Sequence, residues 1–175
     1  MRKQAKKMGL LPLVLAVLLA LTPVSFADAS IDLQRVGSLE VSLLDETSGE
    51  PLPEAALVLY RAADAQLQDA QLCYRLTQEF QDCGVSLEDL RDPQIAVHLA
   101  QYAASRGLSG ERRTSHGGTV RFDSLEAGLY LVVQDGAAEG YYPIAPFLAG
   151  LPMRNSGGDG WLYDLSAKPK AQQTP

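Results

Sequence analysis

The sequence predicts an all-β sandwich with a partly helical insertion. Six short segments alternate apolar residues with small or polar ones, which is the period-2 pattern of strands that bury one face. Turns rich in Gly, Pro, Asn and Asp separate these segments, as is typical of a sandwich. The stretch 64–110 has a different pattern and lies between the second and third segments. We therefore expect six or seven strands around a single core.

The first strand segment shows the alternation well. Leu39, Val41 and Leu43 are separated by single small or charged residues, so in an extended chain the three apolar side chains share one face. The six predicted strand segments are 38–45, 56–62, 118–122, 128–135, 144–152 and 161–167.

The insertion contains one predicted helix, residues 93–106. Asp92 followed by Pro93 is a favoured helix start, since the aspartate can cap the first turn and proline suits the first helical position. Gly107 stands where a helix would end. The residues expected on its buried face are Ile95, Leu99, Tyr102 and Ala103.

The first 29 residues have the pattern of a secretory signal peptide. A basic start is followed by the apolar run 10–21 and by a small-residue cleavage site at 27–29. We expect Ser30 to be the first mature residue, with Asp28 as the alternative, and the protein to be secreted, extracellular or on the cell surface. The apolar run is too short to span a bilayer, and no second run follows. The sequence thus predicts no membrane anchor in this chain.

Removal of that segment makes the protein strongly acidic. The predicted signal peptide holds four of the 15 Lys and Arg residues and one of the 21 Asp and Glu residues. The rest of the chain therefore has a net charge near −9. A surface of that charge repels nucleic acid and anionic membranes, so neither is an expected partner. The remaining length suits one domain, predicted over 30–170, with 171–175 as a tail.

The two cysteines are predicted to form a disulfide. If Cys73 is on an extended segment and Cys83 on a following helical turn, the sulfurs can meet. On one helix they would lie about 15 Å apart and could not bond. The alternative is two buried free thiols. A bridge closing this loop would contribute about 3 kcal/mol to stability.

Residue patterns for catalysis or metal binding are missing from the sequence. His98 falls inside the predicted helix and His116 in a glycine-rich turn, and neither has the spacing of a zinc ligand pair. The Gly-rich run 156–160 lacks the lysine and helix of a phosphate-binding loop. We therefore predict a protein that is not an enzyme and that needs no cofactor or metal.

Several blocks of sequence, read in order, resemble a known family. The blocks are 44–55, 57–60, 120–133, 140–141, 146–153 and 161–170. They are similar to the prealbumin-like (CnaB or SpaA-type) domains of Gram-positive surface proteins, and in particular to the N-terminal domain of sortase-assembled pilins. The resemblance implies a prealbumin-like, Ig-like β-sandwich and a cell-surface pilin-like subunit, whose partners are other pilin subunits and a sortase.

The last block resembles the pilin motif W-x3-V-x-V-Y-P-K. The motif positions are filled by Trp161, Leu165, Ala167, Lys168 (in the Tyr position), Pro169 and Lys170. In the family the final lysine attacks a subunit held by the sortase as a thioester, and an isopeptide bond joins the two subunits. The resemblance therefore implies that Lys170 is the acceptor, with Lys168 as its rival. We expect buried neighbours such as Trp161 and Leu165 to hold this strand rigidly.

The lysine content agrees with this interpretation. After the signal peptide the chain has only two lysines, Lys168 and Lys170, beside nine arginines. Arginine does not lose its proton in a protein and cannot replace lysine as a nucleophile. Every side-chain amine is therefore gathered at the motif.

The sequence also departs from the family. Many such domains contain an internal Lys–Asn isopeptide bond, but Leu43 fills the lysine position and Gln134 the acid position, so we expect none. The sorting signal of a pilin is missing too, which leaves a cap subunit, a piece of a longer pilin or a non-polymerising remnant as alternatives. The competing function is a non-covalent adhesin or carbohydrate-binding module that uses the insertion at 64–110.

Overall fold

The computed structural model describes residues 30–157 and 160–175. The predicted signal peptide, 1–29, lies outside the described residues. Those described form twelve strands, rather than the six or seven predicted, and one α-helix. In chain order these are β1 (Gly37–Ser42), β2 (Leu44–Asp45), β3 (Ala56–Gln68), β4 (Gln71–Leu76), α1 (Pro93–Arg106), β5 (Glu111–Thr114), β6 (Thr119–Leu125), β7 (Gly128–Asp135), β8 (Phe147–Leu151), β9 (Met153–Arg154), β10 (Trp161–Leu162), β11 (Asp164–Ala167) and β12 (Lys170–Ala171).

Two sheets form a sandwich, which confirms the predicted all-β class. In the first sheet β1 lies between β11 and β6, and the β2–β12 pair continues the β1–β11 side of this sheet along the chain. In the second sheet the long strand β3 pairs with β7 on one edge, and β7 pairs with β8. The other edge of β3 pairs first with β5 and then with β4.

The sandwich core lies between the two sheets. It is built from alternate residues of the facing strands, as the period-2 pattern predicts. Its central members include Leu39 and Val41 of β1, Leu57 of β3, Phe122 of β6 and Val132 of β7, each no more than 2% exposed.

Strand β7 is apolar on both faces because it separates two cores. Tyr130 and Val132 point into the sandwich core, whereas Leu131 belongs to a second cluster on the outer face of the second sheet. We call this second cluster the insertion core, because most of its members come from 64–110. Burial on both faces explains why β7 has a continuous apolar run instead of strict alternation.

Helix α1 covers the outer face of the second sheet and has the predicted bounds. The Asp92 carboxylate caps it by accepting a hydrogen bond from Gln94 N at 2.9 Å. Gly107 ends it in the left-handed conformation, with φ of 61°. The helix residues that pack into the insertion core are Ile95, Ala96, Leu99 and Ala103.

The first part of the insertion is extended rather than irregular. Strand β3 runs on to Gln68 and folds back as β4, which starts at Gln71. The two turn residues between them, Asp69 and Ala70, both have positive φ, at 50° and 61°. Two-residue hairpin turns with this backbone favour Asn and Gly, since other side chains are strained there.

Replacing Ala70 with glycine should therefore stabilise the protein. Glycine removes the steric cost of the positive φ but loses more entropy on folding, so we expect a net gain of about 0.5–1 kcal/mol in the free energy of unfolding. Urea denaturation measures it. Ala65→Gly, in regular strand on the same hairpin, should instead lower stability by about the same amount. A neutral or destabilising Ala70→Gly would contradict the strain argument.

The predicted disulfide is not formed in the structure, where Cys73 and Cys83 are both free. Cys83 packs with Leu76 against the insertion core. Cys73 lies three residues before Leu76 on the regular strand β4. The Cys73 side chain therefore points to the face opposite Leu76 and the insertion core. The thiol of Cys73 instead lies 3.6 Å from the carbonyl oxygen of Gln66. Strand alternation therefore keeps the sulfurs apart.

Candidate functional site at the C-terminal strands

The predicted motif residues lie on a parallel ladder that joins the two ends of the domain. Strand β11 pairs with β1 up to Val41 and Ala167, and β12 pairs with β2 from Leu44 and Lys170. Two residues lie between these pairs on each strand, 42–43 and 168–169, so the register is unchanged across the gap. Pro169 lies in the gap and has no N–H to donate. The chain therefore resumes pairing immediately after the proline.

The residue opposite Pro169 uses its backbone elsewhere. Leu43 donates its N–H to the carbonyl oxygen of Gly118 at 2.6 Å, and its own carbonyl accepts from Leu52 N at 2.9 Å. Its side chain is fully buried in the sandwich core. The gap in the ladder thus leaves no backbone group of Leu43 unsatisfied.

Because side chains alternate between the two faces along β11 and β12, the buried residues that hold the strand and the two lysines lie on opposite faces. Leu165 and Ala171 are buried, at 7% and 1% exposure, and face the sandwich core. Lys168 and Lys170 fall on the opposite, outward face and are exposed. The strand is thus fixed by its inner residues while both amines remain open to solvent.

Trp161 does not anchor this strand as predicted. It is half-buried on the short β9–β10 ribbon, where it pairs with Arg154, and belongs to neither core. The Arg154 guanidinium lies over the indole ring at 5.5 Å from its centroid. Of the two residues expected to hold this strand, Trp161 and Leu165, only Leu165 is buried in the sandwich core.

A tight turn over residues 45–50, which we call the acidic turn, lies against β12. The buried Asp45 carboxylate organises it by accepting hydrogen bonds from Thr47 N at 2.9 Å, Ser48 N at 2.6 Å and Ser48 Oγ at 2.9 Å. Its second oxygen accepts from Gln173 Nε2 at 3.0 Å. These bonds, those of Ser48 foremost, lower the pKa of Asp45 from 3.8 to about 2.

The acidic turn should loosen in acid. Because the pKa of Asp45 is lowered on folding, its stabilising contribution is complete above about pH 4 and is lost as the pH falls through about 2. Asp45→Asn, which keeps one acceptor oxygen, should be less stable than the wild type at neutral pH, and the difference should shrink across this window. Urea denaturation from pH 5 to pH 2 measures it. A stability difference that does not change with pH would contradict the role of the charge.

Glu46, the next residue of the acidic turn, makes two contacts with β12 and a third with the residue that follows it. Its backbone N–H donates to the carbonyl oxygen of Ala171 at 2.9 Å. One carboxylate oxygen lies 3.3 Å from Lys170 Nζ, and the other accepts from Gln172 Nε2 at 3.2 Å. The Lys170 side chain is still 76% exposed, so a partner can reach its amine. Sequence reasoning missed this residue, although Asp-Glu-Thr-Ser-Gly is a typical turn sequence.

The last residues are not a free tail, contrary to the prediction for 171–175. Gln172 accepts a hydrogen bond at its carbonyl oxygen from Tyr142 N at 2.9 Å, and Thr174 N donates to the carbonyl oxygen of Gly140 at 3.0 Å. Between them, Gln173 forms a β-bridge with Tyr141. The segment is thus held between the acidic turn and the loop before β8.

An open apolar groove of about 330 Å³ runs beside the two lysines. Its walls come from the segment leading into β8 and from the end of the motif. The lining residues are Ile144, Ala145, Pro146, Phe147, Ala167, Lys168, Pro169 and Lys170. Both lysines therefore border this groove.

Gln134, predicted to replace the acid of an internal isopeptide bond, lies beneath this groove. It is buried on β7, and its Oε1 accepts from Ile144 N at 2.9 Å. Its Nε2 is buried without a hydrogen-bond partner among the residues described. The side chain therefore supports the groove wall through Ile144.

Within the part of the chain that the structure covers, no group of three or more His, Cys, Asp or Glu residues could hold a metal ion. None of the helices described there is long and apolar enough to cross a membrane.

Comparison with solved structures finds that this domain is similar to parts of several pilins. It matches the full-length major pilin SpaD of Corynebacterium diphtheriae with 26% identity and a TM-score of 0.53, over 83% of this chain and 32% of that one. The T6 backbone pilin of Streptococcus pyogenes matches with 16% identity and a TM-score of 0.51, over 80% and 29%. The major pilin SpaA of C. diphtheriae matches with 28% identity and a TM-score of 0.47, over 78% and 30%.

The chain therefore spans about a third of the length of these pilins. No protein-family model matches the sequence, and no curated protein matches it. The fold is an Ig-like β-sandwich, as in the matched parts of the SpaD and T6 pilins. More narrowly, the domain is similar to part of the major pilin SpaD, in agreement with the SpaA-type pilin resemblance of the sequence blocks.

Proposed function

We propose that this protein is a pilin-like structural subunit at the bacterial cell surface, whose Lys170 accepts an isopeptide bond made by a sortase. The observation that carries the proposal is the placement of Lys170. Its exposed amine ends the pilin motif, on a strand whose other face is buried, in a domain similar to the major pilin SpaD. Its partners would be other pilin subunits and a sortase.

The proposed reaction is acyl transfer from sulfur to nitrogen. The sortase holds the incoming subunit as a thioester on its cysteine, and the neutral amine of Lys170 attacks the acyl carbon. The new C–N bond forms as the C–S bond breaks, and the proton lost by the amine balances the sulfur, which leaves as a thiol. The sortase supplies the activated acyl group.

The contribution of this chain is presentation of the amine. Leu165 and Ala171 fix the backbone on both sides of Lys170, and Pro169 restricts it immediately before. A nucleophile held in one place loses less entropy on reaching the transition state than one on a mobile tail. The apolar groove alongside offers a surface on which the acyl donor peptide could lie.

The proposal is tested by a transfer reaction. The mature protein is incubated with a pilin-polymerising sortase and a peptide carrying an L-P-x-T-G sorting signal, and the products are mapped by proteolysis and mass spectrometry. We expect a branched peptide at Lys170. If a pilin acceptor domain in the same reaction is joined and this protein is not, the proposal is wrong, and the non-covalent adhesin or carbohydrate-binding module takes its place.

A further inference from the structure

We propose that Glu46 is the positioning residue that makes Lys170, rather than Lys168, the acceptor amine. The inference rests on the proposed function, since it concerns the choice between two lysines in that reaction. It is carried by the contact of the Glu46 carboxylate with Lys170 Nζ at 3.3 Å.

The two lysines are closely matched except for this contact. Both are exposed, both lie on the outward face, and both border the same groove. Across the described ranges, Lys170 forms an ion pair and Lys168 forms none. Access to solvent therefore does not separate the two amines, whereas the neighbouring carboxylate does.

Glu46 is itself held before any partner arrives. Its backbone N–H donates to the carbonyl oxygen of Ala171, which holds the backbone, and its second carboxylate oxygen accepts from the side chain of Gln172, which holds the carboxylate. The acidic turn that carries it is organised by the buried Asp45 carboxylate. A fixed acceptor can restrain the long lysine side chain, which an acceptor on a mobile loop could not.

The contact orients the amine without making it reactive by itself. While the amine is charged, the carboxylate holds it over β12. Once the amine is neutral, one of its N–H groups can still donate to Glu46, which directs the nitrogen lone pair away from the carboxylate and toward the partner. The pair is exposed to solvent, so its effect is modest and is weakened by salt.

The test measures the ratio of products at Lys170 and Lys168 in the sortase reaction, with Glu46→Gln compared with wild type. Glutamine keeps the size, the backbone bond and one acceptor oxygen, and removes the charge. The free energy of an exposed ion pair of this kind is equivalent to a change of about two- to fivefold in a ratio of products. We therefore expect the Lys170 to Lys168 product ratio to fall by that factor in Glu46→Gln. Glu50→Gln is the matched control, since Glu50 lies on the same turn and forms no ion pair among the residues described.

The salt dependence of the product ratio distinguishes a positioning effect of Glu46 from a loss of structure in the variant. Raising the ionic strength from about 0.05 M to about 0.5 M should lower the wild-type ratio toward that of Glu46→Gln and leave the variant unchanged. Thermal unfolding of both proteins should be closely similar. A variant that merely disturbed the turn would not reproduce this difference in salt dependence.

The possible outcomes are distinct. A ratio that falls in Glu46→Gln and not in Glu50→Gln supports the inference. A ratio that is the same in Glu46→Gln and wild type, with transfer still proceeding, overturns the role of Glu46 and leaves the proposed function standing. Absence of transfer at both lysines in the wild type overturns both.

Discussion

Lys170→Arg should remove the main product of sortase-made joining, the one branched at residue 170, while leaving the fold unchanged. Arginine keeps the positive charge beside Glu46, but its guanidinium does not lose a proton and cannot attack a thioester. Because the side chain is 76% exposed and its neighbours provide the burial, the substitution should change the free energy of unfolding by less than about 0.5 kcal/mol. Gel electrophoresis of the sortase reaction and urea denaturation measure the two quantities.

Lys168→Arg is the matched control for this experiment. Joining should persist in it, because the acceptor amine at position 170 is retained. If Lys168→Arg abolishes joining and Lys170→Arg does not, the acceptor is Lys168. If each single variant is still joined and only the double variant is not, the sortase uses either amine. Joining of the double variant would show that the acceptor is not a lysine side chain, because the chain after the predicted signal peptide has no other lysine.

Phe80→Ala should lower the free energy of unfolding more than any of the other substitutions proposed. Phe80 is fully buried at the centre of the insertion core, between Tyr60 at 6.4 Å and Tyr102 at 6.0 Å between ring centroids. Truncation of a buried phenylalanine removes its transfer free energy and leaves a cavity, which together cost about 3–5 kcal/mol. That is a large fraction of the 5–15 kcal/mol that typically stabilises a domain.

Urea denaturation of Phe80→Ala measures this loss directly. Tyr142→Ala is the control, since that aromatic residue is 51% exposed and its truncation should have a much smaller effect. Phe80→Leu should fall between the two because it leaves a smaller cavity. A loss below about 1 kcal/mol in Phe80→Ala would show that the insertion core contributes little to the stability of the domain.

The sequence predicts the elements whose signals are local. Helix α1 was predictable because Asp92, Pro93 and Gly107 mark its two ends within one stretch of chain. The strands of the sandwich were predictable from alternation within each segment. Strand β7 was also recognised, although its two-sided burial could be understood only once the helix was placed against it.

The features that sequence reasoning missed depend on contacts between distant residues. Hairpin β3–β4 lacks the Asn or Gly that usually marks its turn, and Ala70 adopts positive φ without any compositional signal. The docking of 171–175 depends on the loop near Gly140 and on Asp45, which is more than 120 residues away in the chain. The contact of Glu46 with Lys170 has the same origin, whereas the motif itself could be read from consecutive residues.

The parallel pairing of β1–β2 with β11–β12 has a mechanical consequence. The chain enters this ladder at Gly37, beside the start of β11, and leaves it after Ala171 at the opposite end. A force that pulls the two ends of the domain apart therefore acts along the strands and in opposite directions. Such a shear load is shared by all the hydrogen bonds of the ladder at once, whereas a load perpendicular to the strands would open them one after another. The topology thus lets the backbone hydrogen bonds of this ladder resist tension along the strands together.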